Sequence, residues 1–251
     1  WSITGGELQT GGQDGDDSAK VKITGNTTVN VTFSRYKKVA FGKLSAYLAG
    51  ASSRSVNYVE VTDLTADNVK GDGSGQPFEP SALGKILNEH KGKEVALKFG
   101  KMRDELTDLS YCFAGCASLA AAPEIPASVK IMRGCFAGCE NLTEAPAIPA
   151  NVTDMQSCFA GCKKLTKVPP LPASITNMRE CFSNCGKLTE APKIPANVQD
   201  MSGCFSSCVH LEQPPAIPGS VKDMSDCFAG CKKLARAPVI PDGVTNMSGC
   251  F

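Results

Sequence analysis

The signature Cys-Phe-x-x-Cys begins at Cys112, Cys135, Cys158, Cys181, Cys204 and Cys227, and a truncated copy begins at Cys250. The interval is 23 residues throughout, with no insertion. A fixed period in this range describes a solenoid, in which each repeat is one supersecondary unit stacked on the next. A single repeat cannot bury its own Leu, Ile, Val, Met and Phe side chains, but a stack of them can.

Within the repeat Leu142–Cys162, the residues Met155, Cys158, Phe159, Cys162 and the following Leu165 are spaced three or four apart or adjacent. That spacing predicts one or two helical turns with these five side chains on one face. Asp154 precedes the Met, and its equivalents are Asn177, Asp200, Asp223 and Asn246; all are favoured helix N-caps. Ile131 breaks this pattern. Upstream, Ala145-Pro146-Ala147-Ile148-Pro149 excludes a helix interior because of its two prolines. It reads as a weak strand or a partly polyproline-like segment. With Ile148 inward, Pro146 also points in, while Ala145 and Ala147 point out. Val152 is a further inward anchor. Each rung is thus expected to be one short extended strand plus one short helix.

The run Val244-Thr245-Asn246-Met247-Ser248-Gly249-Cys250-Phe251, with a Cys-x-x-Leu step after each helical turn, resembles the BspA-like leucine-rich-repeat surface proteins of bacteria. Their repeats read Val-Thr-x-Met-x-x-x-Phe-x-x-Cys-x-x-Leu, and the resemblance covers about residues 105–251. It implies an α/β leucine-rich-repeat solenoid displayed outside the cell. The sequence departs from the family pattern in its Ile-Pro-Ala and Leu-Pro-Ala steps (Ile148, Leu171, Ile194) and in carrying Cys before each Phe.

Residues 1–35 predict a small β module. Lys20–Thr24 and Thr28–Phe33 alternate and are rich in β-branched residues, with Gly25-Asn26 as turn chemistry between them. The opening Trp1-Ser2-Ile3-Thr4-Gly5-Gly6 resembles the second half of an internalin-type B-repeat. The acidic turn Asp14-Gly15-Asp16-Asp17 lacks the spaced ligands of a calcium loop and reads as solvated. Residues 36–111 read as an α/β N-terminal cap with a degenerate first rung. Phe41–Leu48 has helical spacing, Tyr58–Val61 and Glu94–Phe99 are strands, and a helix starts at Pro80 with proline in its first turn. Residues 112–251 form the solenoid, expected to be truncated at the C-terminal end. The abrupt start at Trp1 and stop at Phe251 read as marks of a fragment whose export and anchoring signals lie elsewhere.

Net charge is +1, which leaves no basic footprint for nucleic acid, and no run reaches the length of a membrane span. All 13 cysteines fall in the repeats, an odd count that forbids complete pairing within the chain. The favoured reading is two ladders of small buried side chains. Bridging within or between rungs is a second reading. Metal binding is a third, opposed by Cys-x₃-Cys spacing that is unlike a zinc site. His90 and His210 read as solvated, as do the pairs Lys163-Lys164 and Lys232-Lys233. Nothing resembles a phosphate loop, a Gly-x-Ser-x-Gly elbow or a zinc-protease helix. No enzyme activity, cofactor or metal is therefore expected.

The outward positions of the extended segments remain: Ala122 and Glu124, Ala145 and Ala147, Val168 and Pro170, Ala191 and Lys193, Pro214 and Ala216, Ala237 and Val239. A contiguous strip of small apolar residues marks an interaction surface, or else simply permits close rung packing. The binding site is expected at Glu124, Ala145, Ala147, Val168, Pro170, Ala191, Lys193, Ala216 and Val239. What the family resemblance implies is a non-enzymatic surface module whose partner is a protein on a host or bacterial surface. The alternative is a structural spacer or self-association module that displays another domain.

Overall fold

The computed structural model describes residues 6–9, 18–23, 27–32, 36–74, 78–100 and 105–251, with side chains from Tyr36 onward. The chain divides into two compact units, Trp1–Lys37 and Lys38–Phe251. In the first, β1 (Gly6–Gln9), β2 (Ser18–Ile23) and β3 (Thr27–Thr32) form an antiparallel sheet in that order. Val21 faces Val29 across β2 and β3, the pairing that alternating β-branched residues favour. Trp1, the Gly25-Asn26 turn and the acidic run Asp14–Asp17 lie outside the described residues.

The second unit opens with β4 (Lys37–Ala40), a 3-10 turn at Phe41–Lys43 and α1 (Leu44–Gly50). Next come β5 (Asn57–Thr62), α2 (Ala66–Val69), α3 (Ala82–Glu89), β6 (Val95–Phe99) and β7 (Leu119–Ala121). The sheet order is β4-β5-β6-β7, with β6 parallel to both its neighbours. Pro80 stands outside α3 rather than in its first turn; Ser81 is the N-cap and accepts from the Gly84 N–H. The helix α3 lies against the first Cys-Phe-x-x-Cys unit. Ser81 Oγ donates to the Cys112 carbonyl at 2.8 Å, and Ser118 Oγ donates to the Leu87 carbonyl at 3.2 Å. A Cβ on Gly84 would meet the Cys112 carbonyl oxygen at 2.3 Å, so only glycine permits this approach. Leu83, Leu87, Val95 and Leu97 join one continuous core with Leu106, Leu109, Cys112 and Phe113.

The rungs correct the expected backbone in two ways. The helical turn at Met155–Leu165 does not form. A helix would send the Phe159 N–H to the Met155 carbonyl. Instead it donates to Cys181 of the next rung at 2.9 Å, as Ser157 donates to Arg179 and Gly161 to Ser183. The intervening N–H groups of Cys158, Ala160 and Cys162 turn back three residues, to Met155, Ser157 and Phe159. Alternate backbone groups thus serve the local turn and the neighbouring rung. Two positions per rung adopt positive φ, and these break any right-handed helix: Ser157 at 53° and Gly161 at 72°, repeated at Glu180 and Asn184 and at Gly203 and Ser207. Met155, Cys158, Phe159, Cys162 and Leu165 are nevertheless all buried, as their spacing predicts.

The second correction concerns the strand. The Pro-rich segment Ala145–Pro149 carries no ladder, because two of its residues lack an N–H. Parallel bridges run instead through Asp108, Ile131, Asp154, Asn177, Asp200, Asp223 and Asn246, the positions expected to be N-caps. Ile131 keeps its place there, since a ladder uses backbone groups. The caps become turns in which the side chain accepts from the N–H two residues on: Asp200 from Ser202 at 2.8 Å and Asp223 from Ser225 at 2.8 Å. A shorter second ladder pairs Glu144 with Lys167 and Glu190 with Gln213.

The core is a stack of like on like. Phe113, Phe136, Phe159, Phe182, Phe205, Phe228 and Phe251 lie ring on ring, 5.4–5.9 Å apart between centroids. Two predictions follow from the left-handed positions. Ser207→Gly should raise stability by about 1 kcal/mol, since it relieves a side chain held at positive φ. Gly161→Ala should lower it by about 1 kcal/mol although its Cβ would rest at an ordinary 3.6 Å from Gly138. Urea midpoints of the two variants moving in the same direction would refute this account.

Candidate binding surface

Along the Pro-rich face, the 23-residue period places equivalent side chains in columns. One column is Glu124, Ala147, Pro170, Lys193, Ala216 and Val239, and every member is exposed, Val239 most of all at 90%. The column two residues earlier differs. Ala122, Ala145, Val168 and Ala191 are half-buried and pack against the core. Ile148 and Ile194, by contrast, are buried beneath the face. Of the sequence-derived site, Glu124, Ala147, Pro170, Lys193, Ala216 and Val239 therefore present their side chains to solvent. Ala145, Val168 and Ala191 do so only in part.

Three open grooves of about 400 to 480 Å³ run over this face. Glu124 and Ala147 line one between the first two rungs; Pro170, Lys193 and Ala216 line another. The third joins Ala145, Val168 and Ala191 to a charged column that sequence reasoning overlooked: Glu144, Lys167 and Glu190. Lys167 pairs with Glu144 at 2.5 Å across the rungs. The alternation of charge at 23-residue spacing was the signal that could have found it. Glu124 and Lys193 have no ion-pair partner among the described residues.

Elsewhere the candidate chemistry is bound up in structure. The cysteines form two ladders. In the second of them the thiols from Cys139 onward donate to a Phe carbonyl of the preceding rung, as Cys162 Sγ does to Phe136 O at 3.2 Å and Cys185 Sγ to Phe159 O at 3.2 Å, while Cys116 Sγ donates to the Gly84 carbonyl of α3. All thirteen are buried except the half-buried Cys231. Burial pushes the thiols of Cys116, Cys162 and Cys208 up to about 12 and that of Cys158 well above its ordinary value. A protonated, enclosed thiol is a poor nucleophile. The histidines are less solvated than expected: His90 Nε2 meets Ser45 Oγ at 3.0 Å, and His210 Nδ1 meets the Gly186 carbonyl at 2.5 Å. Lys163 and Lys164 remain exposed but reach Glu140 and Asn141 of the preceding rung. Among the described residues no group of His, Cys, Asp or Glu is placed to hold a metal ion, and no helix is long and apolar enough to cross a membrane.

The Met, Phe, Cys and Leu columns at a 23-residue step are buried. The pattern of the BspA type leucine rich repeat region matches residues 109–248 in six copies, more than half of the chain. The chain belongs to the BspA-type leucine-rich repeat family. The leucine-rich repeat protein of T. pallidum, TpLRR, is similar in structure to this BspA-type chain. Its TM-score is 0.53 at 26% identity, over 62% of this chain and 77% of the other. A leucine-rich repeat protein from Bacteroides ovatus aligns with a TM-score of 0.48 at 19% identity, over 97% of this chain and 60% of the other. No curated protein matches the sequence.

Proposed function

We propose that this BspA-type chain is a non-enzymatic binding module of a bacterial cell surface, an adhesin whose partner is a protein on host matrix or on another cell. The observation that carries the proposal is the exposed column Glu124, Ala147, Pro170, Lys193, Ala216 and Val239, set over grooves and repeated at every rung of a leucine-rich-repeat scaffold. Repeat scaffolds bind through surfaces that extend across many rungs, and a strip of small side chains admits a partner's backbone closely. The buried, protonated thiols are poor nucleophiles, which favours a binding role over a catalytic one.

The test is binding to a panel of immobilised matrix proteins, beside a variant carrying Ala147→Glu and Ala216→Glu. Both positions are exposed, so the variant should fold, whereas Ala191 packs on the core and is left alone. Saturable binding should weaken by roughly tenfold or more, because each new carboxylate would have to be desolvated at the interface. Undiminished binding moves the site off this strip. Absence of binding to every panel member favours the second reading, a spacer, which draws on the half-buried Ala145, Val168 and Ala191 as packing residues.

A further inference from the structure

The charges on this face alternate along the rungs in a way that suits a particular partner. Counting rungs by their Pro-rich segments, the exposed column reads Glu124, Ala147, Pro170, Lys193 from first to fourth. The charged column beside it reads Ala121, Glu144, Lys167, Glu190. Glu144 and Lys167 already pair within the chain, with their side chains 59% and 74% exposed. Glu124 and Lys193 stand three rungs apart, about 15 Å at the usual spacing of paired strands. Each is exposed and without an ion-pair partner among the described residues.

We propose that this face pairs with the same face of a second copy of the chain, antiparallel, about a two-fold axis that crosses the stack between the second and third rungs. A two-fold axis lying in the interface sets each column against itself with its rung order reversed. First then faces fourth, and second faces third. Glu124 meets Lys193 of the second copy, Ala147 meets Pro170, and Glu144 meets Lys167, each contact made twice. The groove of Glu124 and Ala147 is covered by the groove of Pro170 and Lys193.

The same columns favour this register over its competitors. Parallel pairing about an axis along the exposed column sets Glu124 against Glu124 and Lys193 against Lys193, and about an axis between the two columns it leaves Glu124 opposite Ala121. A half-rung slide of the axis sets Glu144 against Glu144, or Lys167 against Lys167. A whole-rung slide leaves Glu124 opposite Ala147, or leaves Glu124 opposite Val239 and Lys193 opposite Pro170 with only Lys167 and Glu190 matched, so it forfeits the Glu124–Lys193 contact. Like charges facing each other across an interface suppress the wrong arrangement. The antiparallel register defined above gives opposite charges in both columns and no like pair. The inference rests on the strip being the binding face proposed above, and it names an occupant for it.

Sedimentation equilibrium of the whole 251-residue chain tests the pairing, with Glu124→Lys and Lys193→Glu as separate variants. The unaltered chain should dimerise, and more weakly as salt rises. Each variant alone should dimerise at least roughly tenfold less tightly, because it sets like charges together twice. An equimolar mixture of the two should regain the dimer, since the introduced lysine of one variant meets the introduced glutamate of the other, and the native Lys193 of the first meets the native Glu124 of the second. A monomeric unaltered chain, single variants that dimerise as well as it does, or a mixture that stays monomeric would each overturn the pairing. The adhesin reading fails separately. A monomer that binds matrix protein through Ala147 and Ala216 loses only the pairing, and a dimer that binds no foreign protein loses only the adhesin.

Discussion

Phe182→Ala is expected to cost about 4 kcal/mol of stability, the upper part of the range for a large core side chain. The ring is fully buried, stacked 5.7 Å from Phe159 on one side and 5.6 Å from Phe205 on the other. Its removal leaves a hole in the middle of a column whose neighbours are pinned by hydrogen bonds from rung to rung, so the site cannot collapse to fill it. Because each rung depends mainly on its neighbours, the loss should also uncouple the rungs before it from those after it. Urea unfolding of the variant should broaden into two phases. Val239→Ala is the control: that side chain is 90% exposed, so it should cost less than about 0.5 kcal/mol. Equal losses at the two positions would show that the ladder is not what holds the stack together.

Alkali should destabilise the protein as the pH rises above 9. The thiols of Cys116, Cys162 and Cys208 are pushed by burial from 9.0 to about 12, and Cys112, Cys135, Cys158, Cys181, Cys185, Cys204 and Cys227 also rise well above 9.0. Above pH 9 the unfolded chain releases thiol protons that the folded chain retains. The folded state then binds more protons than the unfolded one, and stability falls as pH rises. By pH 10 each such thiol removes on the order of 1 kcal/mol, so Cys116, Cys162 and Cys208 together remove a few kcal/mol. The contribution is intact below pH 9 and is lost progressively from there toward 12. The check is the urea midpoint between pH 8 and pH 10 in a reducing buffer. A midpoint that did not move would mean that the thiols ionise in place, which a dry ladder does not allow.

The thiols also show what repetition achieves chemically. A single buried cysteine is an ordinary small apolar residue. Stacked at one position per rung, cysteines fill two narrow columns beside the phenylalanines, and thiols of the second column give a second donor to carbonyls that already accept the turn's own N–H, as Cys208 Sγ does to Phe182 at 3.1 Å.

Much of the architecture was legible in the sequence because the period is a covalent property of the chain. The 23-residue interval, the solenoid, the identity of the buried residues and the family all follow from which residue types recur. The inward places of Met155, Phe159, Ile148 and Val152 were readable for the same reason, since apolar side chains must leave water whatever the backbone does. The strands β5 and β6 and the helices α1 and α3 were readable from local pattern as well.

What the sequence could not decide was where the backbone hydrogen bonds go. The same three-and-four spacing suits a helical turn or a turn with two left-handed residues. The choice falls to the neighbouring rung, whose carbonyls at Arg179, Cys181 and Ser183 compete for the N–H groups of Ser157, Phe159 and Gly161. In the stack each of those groups finds a partner and the next rung is held in register; in a lone repeat no such acceptor exists. The same competition moved the ladder from the Pro-rich segment to the Asp154 column and turned Asp200 and Asp223 from helix caps into turn makers. It also divided the candidate surface, leaving Ala147 and Lys193 in solvent while drawing Ala145 and Ala191 into contact with the core. Composition and period determined that this chain stacks, and with what inside. Only the packed stack, by supplying the acceptors across rungs, decided the path of the backbone and which small residues a partner can reach.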